Sequence, residues 1–277
     1  MVVISYAVTG YEVSLVRTFC SDLMSEPDLG IVSELSAAGA PPSWQLLPLL
    51  LTQGLWLKHR TPRLPPAPGR HSGVCGHGRP LQLLGLGDSI IAGVGVADMG
   101  QALTAQVAAT LATRTGRQVH WRALGKSGIR SSQLLGLLEQ AAPAPASPDL
   151  LLVNCGVNDV TSPQAPATVM QQRRALLEQL EQRFPHALRV QCALPPMARF
   201  PALPVPLQQV LGRRAAALDR DLAGWLQGRV NTLFLPFDEL PEPHQFAVDG
   251  YHPGPAAVAQ WGARVGQRIL ERKRLLP

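Results

Sequence analysis

Residues 81–89 read LQLLGLGDS, an apolar run that ends in a glycine-rich turn. An apolar run of this length is typical of a strand that is buried on both faces. A strand over residues 81–86 places Ser89 just beyond its carboxyl end, on a turn that exposes the serine hydroxyl. Gly-Asp-Ser is also an ordinary turn and helix cap, so the tripeptide alone does not decide a role.

Apolar and amphipathic runs alternate from residue 81 to the C-terminus, and they predict five strand–helix pairs. Strands are predicted over residues 81–86, 118–124, 149–155, 188–194 and 231–236. Helices are predicted over residues 101–115, 131–140, 166–184, 205–227 and 253–273. This alternation predicts an α/β fold in which helices cover both faces of a parallel sheet. Reactive groups then lie in the loops at the carboxyl ends of the strands.

The chain of 277 residues divides into four segments. Residues 1–34 show no clear period, and we predict a poorly ordered N-terminal extension there. Residues 35–60 are predicted to form an apolar helix, and residues 61–79 a linker dense in proline and glycine. Residues 80–277 are then the folded domain.

The apolar segment holds 23 uncharged residues from Leu35 to Leu57, which is long enough to span a bilayer. Prolines and glycines interrupt it, and only Trp44 to Leu57 is densely apolar. Three interpretations stay open: a membrane anchor with its basic flank in the cytoplasm, an interfacial segment, and a helix that docks on the domain. Peripheral membrane contact through residues 44–57 is therefore one expectation. A cleaved signal peptide is not expected, because the segment lies far from Met1.

The net charge of +6 raises the question of a nucleic-acid partner. The arginines are scattered and no aromatic residues interleave with the short basic runs, so we expect no nucleic-acid partner.

Four cysteines, Cys20, Cys75, Cys155 and Cys192, form no CxxC pair and predict neither a zinc nor a redox site. Cys155 and Cys192 lie in apolar runs and are expected to be buried free thiols, which favours a cytoplasmic location.

Residues 248–254 read VDGYHPG and directly precede the last predicted helix. An aspartate three residues before a histidine can accept from the imidazole Nδ1–H, which leaves Nε2 to take the proton of a serine hydroxyl. Asp249 and His252 are therefore candidates for the orienting acid and the general base of Ser89. The alternative is an aspartate that caps the helix beside an exposed histidine.

Acyl transfer also needs hydrogen-bond donors for the negative oxygen of its tetrahedral intermediate. Residues 123–128 read ALGKSG after the second strand, and residues 154–159 read NCGVND after the third. The backbone N–H of Gly128 and the side-chain amide of Asn158 can join the N–H of Ser89 in this role. Each residue also has an ordinary explanation, since a glycine permits a turn and an asparagine caps the segment that follows.

Four blocks together resemble the SGNH/GDSL hydrolase superfamily: GDS at 87–89, the glycine at 128, GVND at 156–159 and DGYHP at 249–253. The resemblance covers about residues 81–276. It implies a flavodoxin-like three-layer α/β/α sandwich with a central five-stranded parallel sheet, and no metal or organic cofactor. By the same resemblance Ser89 is the nucleophile, His252 the base and Asp249 its orienter. The implied oxyanion hole is formed by Ser89, Gly128 and Asn158.

One departure from the family pattern concerns the second block. Many members carry an asparagine a few residues before the glycine, whereas this chain has ALG at 123–125. Gly125 therefore stays open as an alternative donor to the glycine at 128. Asp88 and Asp159 are predicted to brace the loops that hold the site, and His244 is predicted to be a surface residue.

Other catalytic motifs are missing from the sequence. There is no GxSxG nucleophile elbow, and the dinucleotide pattern GxGxxG fails at Ile90. We therefore expect a serine esterase whose small-molecule substrate is a short-to-medium acyl ester or a lysophospholipid-type lipid. The alternative is a catalytically inactive protein of the same fold that binds a lipid or an acylated glycan. The sequence predicts no oligomeric state.

Overall fold

Strands and helices alternate through residues 43–143, 147–237 and 241–272, which are the residues that this computed structural model describes. The strands are β1 (Ser72–Cys75), β2 (Pro80–Gly87), β3 (Gln118–Gly125), β4 (Leu150–Asn154), β5 (Leu188–Cys192) and β6 (Thr232–Leu235). The helices are α1 (Ser43–Arg60), α2 (Leu103–Thr115), α3 (Leu134–Glu139), α4 (Val157–Val160), α5 (Pro166–Arg183), α6 (Leu207–Leu226) and α7 (Pro255–Glu271). Short 3₁₀ turns lie at Met99–Gln101, Ser131–Gln133, Met197–Arg199 and Pro243–Gln245.

The strands form one sheet in the order β1-β3-β2-β4-β5-β6. Strands β2 to β6 are parallel, and their bounds agree with the five predicted strands within two residues at each end. Gly87, the last residue of β2, pairs with Gly125 of β3 and with Asn154 of β4. This register brings the loops after β2, β3 and β4 together at one edge of the sheet, which we call the carboxyl edge.

A sixth strand corrects the predicted sheet and the predicted linker. Strand β1 lies inside residues 61–79 and pairs antiparallel with β3, and Ala67 of the same segment is buried. The linker prediction is therefore wrong over residues 72–75. The prediction failed because backbone hydrogen bonds, which the sequence does not mark, hold this segment in place. One example is the Ala123 N–H, which donates to the His71 carbonyl at 2.8 Å. Gly73 also allows close passage over the indole of Trp121.

Helices cover both faces of the sheet, and the strand side chains alternate between two cores. In β4, Leu150 and Leu152 belong to the core beneath α2 and α7, whereas Leu151 and Val153 belong to the core beneath α3, α5 and α6. This arrangement is the predicted three-layer sandwich. Cys155 and Cys192 are buried free thiols, as predicted, and Cys20 lies outside the described residues.

Helix α1 coincides with residues 43–60 of the predicted apolar helix. Residues 1–34, predicted to be an extension, and residues 35–42 lie outside the described residues. The helix docks on α6: the Gln53 side chain donates to the Val205 carbonyl at 2.7 Å and accepts from the Leu207 N–H at 3.1 Å. Leu50 packs against Val210 beside these hydrogen bonds. Among the helices of the described ranges, none has the length and apolar character needed to cross a membrane.

Candidate active site

The turn that carries Ser89 is held by close backbone packing at the end of β2. A Cβ on Gly87 would overlap the carbonyl oxygen of Asn154 in the neighbouring strand, so only glycine fits this position. The Asp88 N–H donates to that same carbonyl at 3.0 Å, and the Ser89 carbonyl accepts from the Val94 N–H at 2.9 Å. Ser89 is therefore fixed at the carboxyl edge, as the sequence predicts.

Three side chains meet in line at this edge. Ser89 Oγ lies 2.9 Å from His252 Nε2, and His252 Nδ1 lies 2.5 Å from Asp249 Oδ2. The second oxygen of Asp249 accepts from the backbone N–H groups of Tyr251 and His252, each at 3.0 Å. When Nδ1 holds the proton and donates it to Asp249, Nε2 is left to accept from the Ser89 hydroxyl. The structure thus joins residues that are 163 positions apart in the chain.

Hydrogen bonding sets the charge of Asp249. Burial raises the pKa of this carboxyl, but the hydrogen bonds from the His252 ring and from the His252 and Tyr251 backbone together outweigh burial, so the pKa lies below its ordinary value. The residue is 6% exposed. Asp249 is consequently a carboxylate at neutral pH and can stabilise a protonated His252.

The loop that carries Asp249 and His252 is itself fixed by backbone hydrogen bonds. The Ala247 N–H donates to the His252 carbonyl and the Gly254 N–H donates to the Gln245 carbonyl, each at 2.7 Å. Gly250 turns the chain between these bonds with a φ of 68°, a left-handed conformation that favours glycine. The motif therefore holds its acid and base three residues apart before α7 begins.

The predicted oxyanion donors Asn158 and Gly128 lie on adjacent loops. One N–H of the Asn158 side chain donates to the Ile129 carbonyl at 2.9 Å, which ties the loop after β4 to the loop after β3. A primary amide carries a second N–H, and Asn158 lines the same cleft as Ser89. Gly128 follows the cleft-lining Ser127.

The two candidate glycines of the second block have different surroundings. Gly125 ends β3, and a Cβ there would overlap the backbone of Ile91 and Ala92 beneath the Ser89 turn. Gly128 has a φ of 77°, and apart from its own atoms and those of its two chain neighbours no heavy atom of the described residues lies within 4 Å of the position its Cβ would take. Gly125 is thus a packing glycine, and this difference favours Gly128 as the donor.

A sequence model described as the GDSL-like lipase/acylhydrolase family matches residues 86–259, which is more than half of the chain. The matched region includes each residue of the Ser89–His252–Asp249 arrangement and both donor loops. The chain belongs to the GDSL-like lipase/acylhydrolase family. As a member, it carries the family's serine-containing block at the end of β2, where the resemblance in the sequence placed it.

One relative of this GDSL-like protein supports the family assignment. A GDSL-like esterase of Mycobacterium tuberculosis is 26% identical over 186 residues, a region that covers 65% of this chain and 58% of the relative. The chain thus spans a little over half the length of that relative.

Two solved structures show the same fold. A family two carbohydrate esterase from Clostridium thermocellum superposes with a TM-score of 0.51 at 16% identity and covers 72% of this chain and 67% of its own. A G-D-S-L family lipolytic protein from Veillonella parvula gives a TM-score of 0.53 at 15% identity, with 69% of this chain and 98% of its own covered. At identities this low, the similarity supports the fold of the GDSL-like chain and does not extend to its substrate.

Asp159 and His244 take the positions that the sequence predicts, and Asp88 is buried beside Ser89. The Asp159 carboxylate accepts from the Ser131 N–H and, at 2.8 Å, from the Ser131 hydroxyl, so it braces the loop of Asn158 from inside. Burial raises the pKa of Asp88 to about 7, against the opposing hydrogen bond from the Ile90 N–H and the nearby His252. His244 is exposed.

Sequence reasoning missed two buried arginines beneath the Asn158 loop. Arg214 donates to the backbone carbonyls of Asp159 and Gln164. The Arg173 guanidinium packs against Gly156 and lies 3.9 Å from Asp219. Arginine in an amphipathic helix is usually assigned to the solvated face. The available signal was helical spacing, which puts Arg173 on the buried face of α5.

A cleft of about 1450 Å³ opens over Ser89 and His252. Both faces of the sheet contribute to it, with Phe200 and Leu207 on the α6 side and Trp261 on the α7 side. Helix α1 borders the α6 side, although it precedes the region that matches the GDSL-like family. In this family member, Ser89 therefore faces a mainly apolar space.

Proposed function

We propose that the chain is a serine esterase that hydrolyses carboxylic esters through an acyl-enzyme on Ser89. The proposed substrate is a short-to-medium acyl ester or a lysophospholipid-type lipid. One observation carries the proposal: Ser89 Oγ lies 2.9 Å from His252 Nε2, which is oriented by Asp249, at the floor of an apolar cleft. A weak nucleophile with an oriented base beside it is what acyl transfer requires.

The first half of the reaction forms the acyl-enzyme. Ser89 Oγ attacks the carbonyl carbon of the ester while His252 Nε2 takes the hydroxyl proton, which gives a tetrahedral intermediate. The bond from that carbon to the alcohol oxygen then breaks, and His252 returns the proton to the departing alcohol. Asp249 stays ionised throughout and stabilises the imidazolium that forms between the two steps.

The second half releases the acid. A water molecule gives its proton to His252 Nε2 as its oxygen attacks the acyl carbon of the Ser89 ester. The intermediate collapses with cleavage of the bond to Ser89 Oγ, and His252 returns the proton to the serine. The carboxylic acid leaves, and the enzyme is restored to its starting state.

The oxyanion hole of both steps is assigned to the N–H groups of Ser89 and Gly128 and to the side-chain amide of Asn158. Three features support this assignment: the open side of Gly128, the second amide N–H of Asn158 and the bracing of its loop by Asp159. Donors held in place before reaction stabilise the negative oxygen most effectively, since they need no reorganisation.

Hydrolysis of p-nitrophenyl acetate and butyrate by the full chain tests the proposal. We expect turnover of both esters, and in Ser89→Ala a fall of about four to six orders of magnitude. A fluorophosphonate probe should label the wild type and leave Ser89→Ala unlabelled. Ser127→Ala is the matched control. Ser127 is a second serine that lines the cleft, but the hydrogen bond of His252 Nε2 is made to Ser89.

Two results would contradict the proposal. If the folded wild type neither turns over these esters nor reacts with the probe, the chain is a binding protein of the same fold. If both aryl esters remain untouched while an acetylated sugar is hydrolysed through Ser89, the substrate is wrong and only the mechanism stands. A sugar is the natural competitor here because a structure of similar fold is a carbohydrate esterase in complex with cellohexaose.

A further inference from the structure

Helix α1 presents three different faces. Leu46, Leu50 and Gln53 point toward α6, where they form the docking contact. Leu49 and Trp56 point toward solvent. Leu47, Leu51, Gly54 and Lys58 follow at helical spacing, and all four line the cleft over Ser89. We call Leu47, Leu51 and Gly54 the α1 wall.

The α1 wall adds apolar surface to a cleft that the family region alone would leave more open on this side. Met197, Phe200 and Leu203, of the segment that leads into α6, also line the cleft. The α7 side of the cleft is mixed, with Trp261 beside polar side chains such as Gln260. The α1 wall and the lining residues of segment 197–207 form the more uniformly apolar side, which suits the apolar end of an ester substrate.

The cleft is also large for the smallest substrates of an esterase. Its volume of about 1450 Å³ exceeds the roughly 300–1,000 Å³ of most small-molecule pockets, and an acetyl group would leave the α1 side empty. A longer aliphatic chain would bury its methylenes there, and each buried methylene favours binding by about fourfold.

We propose that the α1 wall is a specificity-determining surface that holds the acyl chain of the substrate and sets the chain length accepted. This inference rests on the esterase function proposed above. It predicts that kcat/KM of the full chain rises with acyl length from acetate to octanoate. The rise should depend on the space beside α1, whereas hydrolysis of acetate should not.

Gly54 offers a direct way to fill that space. It lies inside α1, and outside its own helix no described heavy atom lies within 4 Å of the position its Cβ would take. A Cβ therefore fits at Gly54 without a clash, and Gly54→Leu extends a side chain from a cleft-lining position. Gly224 of α6 is a matched control, since it is exposed, is also helical and has the same open surroundings in the described chain, away from the cleft. Both substitutions raise helix propensity to the same degree.

The measurement is kcat/KM for p-nitrophenyl acetate, butyrate and octanoate in the full chain and its variants. We expect Gly54→Leu to lower the octanoate-to-acetate ratio about tenfold or more, and Gly224→Leu to leave the ratio unchanged. Leu51→Ala should also lower this ratio, because it removes apolar surface of the α1 wall against which the longer chain is buried. Thermal unfolding confirms that each variant is folded.

The outcomes separate this inference from the proposed function. An unchanged ratio in Gly54→Leu and Leu51→Ala, with hydrolysis still dependent on Ser89, would overturn the role of the α1 wall and leave the esterase intact. An equal shift in Gly224→Leu would also overturn it, since the effect would then come from helix stability. Absence of Ser89-dependent hydrolysis of every ester would overturn both.

Discussion

The carboxyl edge of the sheet and helix α1 border the same cleft, but they are held in place by different interactions. At the edge, glycines without room for a Cβ and backbone hydrogen bonds fix the Ser89 turn and the loop of His252. Helix α1 is held by Leu46 and Leu50 at the α6 contact, by Leu57 against the neighbouring core, and by two hydrogen bonds of Gln53. The edge positions individual atoms, whereas the helix limits a volume.

This difference predicts two kinds of response to mutation. Catalysis depends on atomic positions, because a reacting atom displaced by about 1 Å can lower the rate by about a hundredfold. Apolar burial depends on area, and a small change in shape alters it gradually. Changes at the edge should therefore slow every ester alike, and changes on α1 should alter the order of preference among esters.

Beyond Ser89 itself, the largest effect is expected from Asp249→Asn. The amide keeps the volume of the carboxyl but presents an N–H group toward Nδ1 of His252, which favours the wrong tautomer for a base at Nε2. We expect kcat to fall about 10³–10⁴-fold on acetate and octanoate alike. Steady-state kinetics on both esters test this, and a fall confined to octanoate would contradict the division between edge and helix.

Asn158→Ala should give the next largest effect. Removal of one oxyanion donor lowers kcat by about 10²–10³-fold in enzymes of this chemistry. The variant also loses the hydrogen bond to the Ile129 carbonyl, so its thermal stability must be compared with that of the wild type. A wild-type kcat in a folded Asn158→Ala protein would remove Asn158 from the proposed oxyanion hole.

The carboxyl edge was predictable from the sequence because its chemistry is concentrated in short motifs. Ser89 and Asn158 each follow a predicted strand end, the Asp249–His252 pair lies in the loop between the last predicted strand and the last predicted helix, and parallel strands bring such loops to one edge. The contact across 163 residues then follows from topology, without information on any single distance. The proposal of Gly128 in place of Gly125 as a donor draws on the structure, in which Gly125 packs against Ile91 and Ala92.

The regions that sequence reasoning missed lack such motifs. Strand β1 is stabilised through its backbone, so its side chains carry little apolar signal. Arg173 and Arg214 are buried, a position that charged residues rarely take, and their partners include backbone carbonyls that the sequence does not mark. For α1, the apolar composition was evident, but its three faces depend on where α6 lies.

Asp88→Asn tests whether burial at the carboxyl edge keeps the Asp88 carboxyl protonated. Burial raises the pKa of Asp88 from 3.8 to about 7, so the folded state holds a proton that the unfolded state releases between these values. Stability from this group is complete below pH 3.8 and falls as pH rises toward 7. Between pH 5 and pH 8 the wild type should lose about 2–3 kcal/mol of unfolding free energy through Asp88.

The asparagine cannot ionise, and its oxygen can still accept from the Ile90 N–H. Urea unfolding of both proteins at pH 5 and pH 8 should therefore show a stability difference that grows with pH in favour of Asp88→Asn. The comparison isolates Asp88 from Asp219, whose buried carboxyl has a pKa of about 6 and is present in both proteins. A pH-independent difference would mean that Asp88 keeps its charge in the folded edge.

The smallest effect is expected on the outward face of α1, which is not expected to touch the substrate. Leu49 is 44% and Trp56 50% exposed, and the Arg60 guanidinium lies over the Trp56 ring in the last turn of the helix, a combination that favours an anionic lipid surface. We predict that Leu49→Ala with Trp56→Ala weakens binding to phosphatidylcholine vesicles containing phosphatidylglycerol by about threefold to tenfold, with the acetate kcat/KM unchanged. Val230→Ala is the control. Val230 is 73% exposed, but it precedes β6 at the amino ends of the strands, away from the carboxyl edge. Equal vesicle binding by the wild type and the double variant in sedimentation would limit α1 to its contacts within the cleft and on α6.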